Sequence, residues 1–451
     1  MRYFPLAATL ALLPLAAHAA SLSPAQKAAI DDSVQEWMAR TGAPSVSIAV
    51  VSGGEIAYAK AYGFSRLPDQ RATTDTRYQI GSVLKQFIAA AVLRLQEDGK
   101  LTLDDKVSKY FPEFTRADDI TIRELLSHTS GYPDDAPQDF FTPAMGKPHD
   151  VREFAMKPLT FEPGTDFQYS STGYKIATKI VEKVSGMPMM AFLQLRIFAP
   201  LKMTPVNEPD AAPIPQGDAE GYLRYAGGPI RKAPQMGPGW LYTSGAIAMS
   251  ASDLARWDIS LMDRSLLKPQ SYDAFYTSGK LKNGSITSYS LGLSVWDNHG
   301  RLGMAHDGGM PGKNSENRLW PSEKTAIAVL TNNGWAKAGE VTIRIANVVL
   351  PPIAIEAKAR AVFSAFQRGE IDRTMFTDNA NAFLTPEVLA DQKAGLAKLG
   401  PVRTFSFGGE YDRGGFHVLN WVIVTSKATL NVTEFDDPGG KVEQFVIFEA
   451  Q

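Results

Sequence analysis

The 451-residue chain contains no cysteine. That excludes a thiol nucleophile, disulfide bonds and cysteine-ligated metal, and leaves the core alone to hold the fold. Charge of either sign is not in excess: 46 Lys plus Arg face 48 Asp plus Glu, a formal net charge of −2. Such a balance implies no nucleic-acid or anionic-membrane partner. Histidines are few, and His149, His299 and His417 are scattered without ligand spacing, so no metal is implied and no cofactor is expected. No G-x-S-x-G elbow occurs, which argues against an α/β-hydrolase. Past the N-terminus no apolar run approaches the ~20 residues of a membrane-spanning helix.

What is present begins with Met1-Arg2-Tyr3, an apolar run from Phe4 to Ala17, and Ala17-His18-Ala19. A positive start, a short apolar core and an A-x-A site predict a signal peptide over residues 1–19, cleaved near Ala19. The mature protein is expected to be exported, periplasmic or secreted, with the net charge moved from −2 to −3 by the loss of Arg2. With 44% hydrophobic and 21% charged residues the remainder is ordinary globular material, long enough for two or three domain units.

The spacing predicts a helix over Ser23–Arg40 stopped by Gly42, then a hairpin of Ser45–Val51 and Glu55–Tyr62 around Ser52-Gly53-Gly54. A buried helix is expected from Ser82 to about Asp98, with Gly99 just past its end. Shorter helices are predicted within Leu101–Phe114, over Thr121–Leu126, Thr172–Val184 and Pro188–Phe198, and from an N-cap at Ser252. Asp134–Pro158 and the Pro- and Gly-rich Pro205–Trp240 read as surface connections. Four strands follow, Ser288–Val295, Leu302–His306, Asn314–Trp320 and Thr325–Thr331, and then a helix over Ala338–Leu350. An early hairpin, central helices, late strands and a closing helix give an α+β class, the two ends of the unit sharing one antiparallel sheet. Pro351-Pro352 marks the boundary between a unit over 20–350 and one over 355–451. The second unit has a helix over Ile355–Arg368 and strands over Arg403–Gly408, Phe416–Val424, Ala428–Glu434 and Val442–Phe448.

Candidate chemistry starts at Ser82, with Lys85 three residues on, which one helical turn brings onto the same face. A serine at a helix start beside a lysine is a candidate activated nucleophile, since burial that lowers the lysine pKa leaves a neutral amine able to take the hydroxyl proton, and the helix end favours developing negative charge. The tetrapeptide by itself occurs about once or twice by chance in such a length. A second copy, Ser265 to Lys268, runs into Pro269 and carries no supporting neighbours. Three further stretches support the first. Tyr169 stands just before a helix, where a phenol near an ammonium serves as general acid or base. His306-Asp307-Gly308-Gly309-Met310-Pro311-Gly312 ends a strand, where glycines admit close backbone approach and an N–H can bind an oxyanion. Leu125 to Tyr132 contains His128 among hydroxyl residues; its place after a helix suits a structural hydrogen bond, and it is left outside the site.

Together with "IGSVLKQFIAA", "LTLDDKVSKYFPEF", "TIRELLSHTSGY", "PGTDFQYSSTGY", "DLARW", "HDGGMPG" and "VLTNN", these residues resemble the serine β-lactamase and D-Ala-D-Ala peptidase superfamily over roughly Ala29 to Leu350. The closer likeness is to its class C β-lactamase-like esterases and D-amino-acid peptidases. The resemblance implies a β-lactamase/transpeptidase-like antiparallel sheet flanked by helices, with a helical subdomain. It implies Ser82 as the nucleophile of an acyl-enzyme, Lys85 as the group that receives its proton or tunes the neighbouring base, and Tyr169 as the acid and base of later steps. It places the third family element on His306, Asp307 and Gly308, and the oxyanion donors at the N–H groups of Ser82 and Gly309. Two departures stand out: Ser171 replaces an amide that commonly holds the substrate, and Asp307 replaces a hydroxyl. An acidic group there disfavours a substrate carboxylate unless His306 is protonated or Asp307 turns away. The expected substrates are esters or D-amino-acid amides and peptides. A D-Ala-D-Ala carboxypeptidase or weak β-lactamase is one alternative, and an idle penicillin-binding-like receptor another.

The C-terminal unit resembles the nuclear-transport-factor-like α+β fold through "AFQRGEIDRTMF", "LAKLGPVRTFSF" and its alternating strands. Such folds hold a small ligand, pair subunits into a homo-oligomer or pack on a neighbour, and the sequence does not choose among these.

Overall fold

The computed structural model describes residues 21–134, 150–207, 213–234 and 247–450. The expected signal peptide, His149 and much of the two expected surface connections lie outside them. The first helix, α1 (Pro24–Thr41), opens with a capping box: Ser23 Oγ accepts from Gln26 N, and the Gln26 side chain returns to the Ser23 backbone. It ends at Gly42 in the left-handed conformation. Strands β1 (Ser45–Ser52), β2 (Glu55–Arg66), β3 (Gln70–Arg71) and β4 (Tyr78–Gln79) follow, then a 3₁₀ turn at Gly81–Val83 that leads into α2 (Leu84–Glu97). At the end of α2, Gly99 N and Lys100 N bond to Gln96 O and Leu95 O, which meets the carbonyls the helix leaves open. Next come α3 (Ile122–Leu126), α4 (Arg152–Ala155), α5 (Ser171–Ser185) and α6 (Met189–Leu193), the last continued by a π turn at Gln194–Phe198. After them come short strands β5 (Val206–Asn207), β6 (Tyr222–Leu223), β7 (Arg231–Lys232) and β8 (Ile247–Met249), and helices α7 (Ala251–Asp263) and α8 (Pro269–Tyr276). Strands β9 (Ser294–Asn298), β10 (Arg301–Met310), β11 (Lys313–Trp320) and β12 (Thr325–Thr331) and helix α9 (Ala338–Val349) complete the larger unit.

Its seven-stranded antiparallel sheet runs β3-β2-β1-β12-β11-β10-β9, so the N-terminal hairpin pairs with the last strand. That is the joined-ends arrangement the sequence predicts. Period-two alternation sorts the strands between two cores. Ala49, Val51, Ala328 and Leu330 face α2, α7 and the helical subdomain, whereas Val46, Ile48, Val50 and Val329 face α1 and α9.

The C-terminal domain has its own apolar core. It contains α10 (Ala354–Arg368), α11 (Asp378–Phe383) and α12 (Pro386–Leu396), packed on a sequential antiparallel sheet of β13 (Val402–Arg413), β14 (Phe416–Thr425), β15 (Thr429–Asp436) and β16 (Val442–Glu449). It docks on the α1/α9 face of the large sheet. Asn347 Oδ1 accepts from Phe405 N at 3.1 Å and from Arg360 at 2.9 Å, and Arg403 pairs with Glu36. His299 and His417, scattered in sequence, meet across this junction on Glu410, at 3.2 and 3.1 Å. A cleft of about 370 Å³ remains there, lined by Trp296, Arg318, Trp320, Arg360 and Phe407 among others.

Three expectations are corrected. Leu103, Val107, Tyr110 and Phe114 have helical spacing, but the backbone at 103–108 bonds across to 117–123 (Val107 N to Ile120 O, Arg123 N to Leu103 O), leaving only a 3₁₀ turn. The N-cap of α7 is Ser250, whose Oγ accepts from Asp253 N, not Ser252. The strand expected over Ser288–Val295 starts only at Ser294, because Gly292, at φ +84°, turns the chain against the backbone of Lys85 and Gln86.

Candidate active site

The site is built on a close approach of two backbones. Gly81 lies between β4 and α2 at φ +54°, and a Cβ there would stand 2.9 Å from both N and O of Gly309. A Cβ at Gly308 would stand 2.0 Å from Ile80 O and 2.4 Å from Ser315 Oγ, which itself donates to Ile80 O at 2.7 Å. Only glycine fits either position. This contact sets the turn that carries Ser82 against the end of β10.

Lys85 follows one turn later and is fully buried. Its Nζ donates to Ser82 Oγ at 3.1 Å. The same Nζ lies 4.8 Å from the ring centroid of Tyr169 and 5.5 Å from that of Tyr174. Tyr169 is half-buried in the extended stretch before α5, as expected from its position. Ser171 begins α5, and its N–H is held by Asp134 Oδ1 at 2.9 Å.

His306 points from β10 into this cluster, its ring centroid 6.2 Å from that of Tyr169. Its Nδ1 is 2.6 Å from Asp307 O and its Nε2 2.8 Å from the Tyr289 hydroxyl. A carbonyl only accepts, so Nδ1 carries the proton and Nε2 accepts from Tyr289. Burial, with Lys85 nearby, lowers the His306 pKa to about 4. The imidazole is therefore neutral around neutral pH. Asp307, the next residue on the strand, is exposed and faces the other side of the sheet, beside its cross-strand partner Glu316. Of the two ways to relieve the conflict between Asp307 and a substrate carboxylate, turning away is the one the fold uses.

A serine–lysine–tyrosine cluster around the buried Lys85, at the end of an antiparallel sheet and beside a helical subdomain, agrees with the family-model match. Residues 30–348 match the Beta-lactamase model. The chain belongs to the Beta-lactamase family. PbpX of Bacillus subtilis (strain 168), named among penicillin-binding proteins, is 30% identical over 317 residues, 66% of this chain and 73% of that protein. Among solved structures, the octameric penicillin-binding protein homologue from Pyrococcus abyssi covers 94% of this chain and 96% of its own, at TM-score 0.63 and 21% identity. A D-stereospecific amidohydrolase from a Streptomyces species covers 70% of this chain and 96% of its own, at TM-score 0.60 and 24% identity. At those identities the likeness is one of fold.

Within this Beta-lactamase-family site, further side chains surround the cluster: His128, which the sequence weighed and set aside, and others it did not mark. His128 makes the structural hydrogen bond expected of it, accepting Ser170 N–H on Nδ1 at 3.1 Å. It is not outside the site, however, because its ring centroid lies 4.3 Å from that of Tyr169. The ring also meets Tyr174 and Tyr289. Behind Lys85, Gln86 donates to Asn317 Oδ1 at 2.7 Å and accepts from Trp257 Nε1 at 2.8 Å, while Asn317 donates to Asp258 at 2.5 Å. Asp258 is wholly buried, and burial raises its carboxyl well above the usual range, against the Asn317 hydrogen bond that lowers it. Motif context ("LLSHTSGY") could have raised the standing of His128; no local pattern marks Tyr289 or Asp258.

Proposed function

We propose that this protein is an exported serine acyl hydrolase working through an acyl-enzyme on Ser82, with esters or D-amino-acid amides and peptides as substrates. The observation that carries it is the buried Lys85 Nζ, 3.1 Å from Ser82 Oγ and 4.8 Å from the centre of the Tyr169 ring. In the first half-reaction Ser82 Oγ bonds to the carbonyl carbon, and its proton passes to the Lys85–Tyr169 pair. The oxyanion is held by the N–H groups of Ser82 and Gly309. Collapse breaks the bond to the leaving alcohol or amine, which takes that proton from the pair. Water then repeats the sequence: its proton goes to the pair, its oxygen to the acyl carbon, and the proton returns to Ser82 Oγ as the acid departs.

Substrate class rests on charge. His306 is neutral and Asp307 faces away, so neither offers a cation to a carboxylate. That favours esters and amides over substrates with a free carboxylate next to the scissile bond, which disfavours carboxypeptidase or strong β-lactamase activity. The fold relation to a D-stereospecific amidohydrolase is consistent with a D-amide. The receptor alternative rests on Ser171, since the case from Asp307 falls with its orientation. We assign the C-terminal domain to packing or subunit pairing, because it docks on the sheet face opposite Ser82.

The test is a panel of p-nitrophenyl acetate, D-Ala amides and peptides, and nitrocefin, with fluorophosphonate labelling, on wild type and Ser82→Ala. Turnover and labelling are expected to fall by roughly a thousandfold or more in the variant. Equal turnover by the two proteins would sink the assignment.

A further inference from the structure

His128 bonds to the backbone on both sides of Tyr169. Its carbonyl oxygen accepts from Gln168 N at 3.0 Å, and its Nδ1 accepts from Ser170 N at 3.1 Å. Between those two hydrogen bonds the imidazole lies against the Tyr169 ring, tilted 35° with centroids 4.3 Å apart. One residue thus grips the residues before and after the phenol and backs the phenol itself. We propose that His128 is the positioning residue for Tyr169, holding its ring over Lys85 by clamping the extended stretch from both neighbours. This rests on the function proposed above, in which the Lys85–Tyr169 pair moves the protons.

The chemistry requires a neutral histidine of one tautomer. Nδ1 accepts an N–H, so the single ring proton sits on Nε2, a buried atom without a partner among the described residues. An imidazolium would lose the Ser170 bond and set a second cation beside Lys85. Burial, then Lys85 and His306, hold the group well below its ordinary pKa and prevent this. The left-handed backbone at His128, φ +61°, limits what can replace it. Asparagine tolerates that conformation and offers its side-chain oxygen near the place of Nδ1, whereas phenylalanine keeps a ring but no acceptor.

The two variants therefore separate the clamp from bulk packing. With p-nitrophenyl acetate as probe, His128→Phe is expected to lower kcat roughly 100-fold with KM changed less than about threefold, a cost typical of a displaced catalytic group. His128→Asn is expected to recover at least about tenfold of that loss, as the Ser170 N–H regains its acceptor. Equal activity in the two variants, retained or lost, overturns the proposal, as does a worse result for the asparagine. If His128→Phe does not fold, ¹⁵N-histidine spectra of the wild type decide: the Nε2–H tautomer is expected to persist between about pH 5 and 9, and an Nδ1–H or titrating ring overturns the clamp. Ser82→Ala keeps the two ideas apart. Turnover that survives it defeats the functional assignment while the tautomer still reports on the clamp.

Discussion

Both sheets of this protein bury ionisable side chains, and they manage the cost differently. In the large sheet the buried His306 is neutral and its two ring nitrogens are both bonded, while burial raises the carboxyl of Asp258, behind Asn317, well above the usual range. In the small sheet Glu434 is buried on β15, with Trp421 Nε1 at 2.9 Å, Lys358 Nζ at 3.3 Å and Asp436 two residues along the strand. Burial, with Asp436 adding to it, raises Glu434 to about 7. Groups held far from their titration range keep one arrangement at every working pH. A carboxyl held at neutrality changes state there. The first suits a site whose hydrogen bonds must stay fixed, and the second makes the C-terminal domain the pH-responsive part.

The largest effect that sharpens this comparison concerns activity. Tyr169→Phe is expected to lower kcat by about 10²–10⁴-fold with an unchanged melting profile. Trp421→Ala, an equally deep cut in the other domain, is expected to cost about 3–5 kcal/mol of that domain's stability with kcat per folded molecule unchanged. A matching loss of kcat in Trp421→Ala would break the separation. The next effect is the sign of the pH response. The folded state keeps the Glu434 proton up to about pH 7, whereas the unfolded chain loses it near 4.5, so stability falls as pH rises across that window. His306 works in reverse: folded at about 4 and unfolded near 6.5, it contributes stability above 6.5 that is lost as pH falls toward 4. Calorimetry of Glu434→Gln should remove the falling contribution, so that stability rises more with pH between 4.5 and 7 than in the wild type, by on the order of 1–3 kcal/mol across the window; an unchanged slope puts the response elsewhere. The smallest effect is at the junction. Arg403→Ala removes a partly exposed ion pair to Glu36 and is expected to cost less than about 1 kcal/mol in melts, with kcat unaltered.

The C-terminal strands were legible because alternation is local: the strand expected over Phe416–Val424 forms as Phe416–Thr425, and that over Val442–Phe448 as Val442–Glu449. Thr325–Thr331 was legible for the same reason. Ser82, Lys85 and Tyr169 were legible because helix geometry joins the first two and motif order ties in the third. Leu101–Phe114 failed because its apolar spacing suits a helix while its backbone bonds are made with a distant segment. Tyr289 and Asp258 were beyond reach because their partners, His306 and Asn317, are tertiary neighbours 17 and 59 residues away. Asp307 was legible as an oddity, but which way it faces depends on strand parity, and parity needed the register of β10.

Three glycines meet beside Ser82, and they are not alike. Gly81 and Gly308 are locked by neighbouring backbone, whereas a Cβ added at Gly309 meets nothing within 4 Å, and its φ is not left-handed. Position 309 is thus a place where side chains can be grown without disturbing the frame beneath. A library confined to it could reshape the entrance for bulkier acyl groups while the N–H proposed as oxyanion donor stays in the chain.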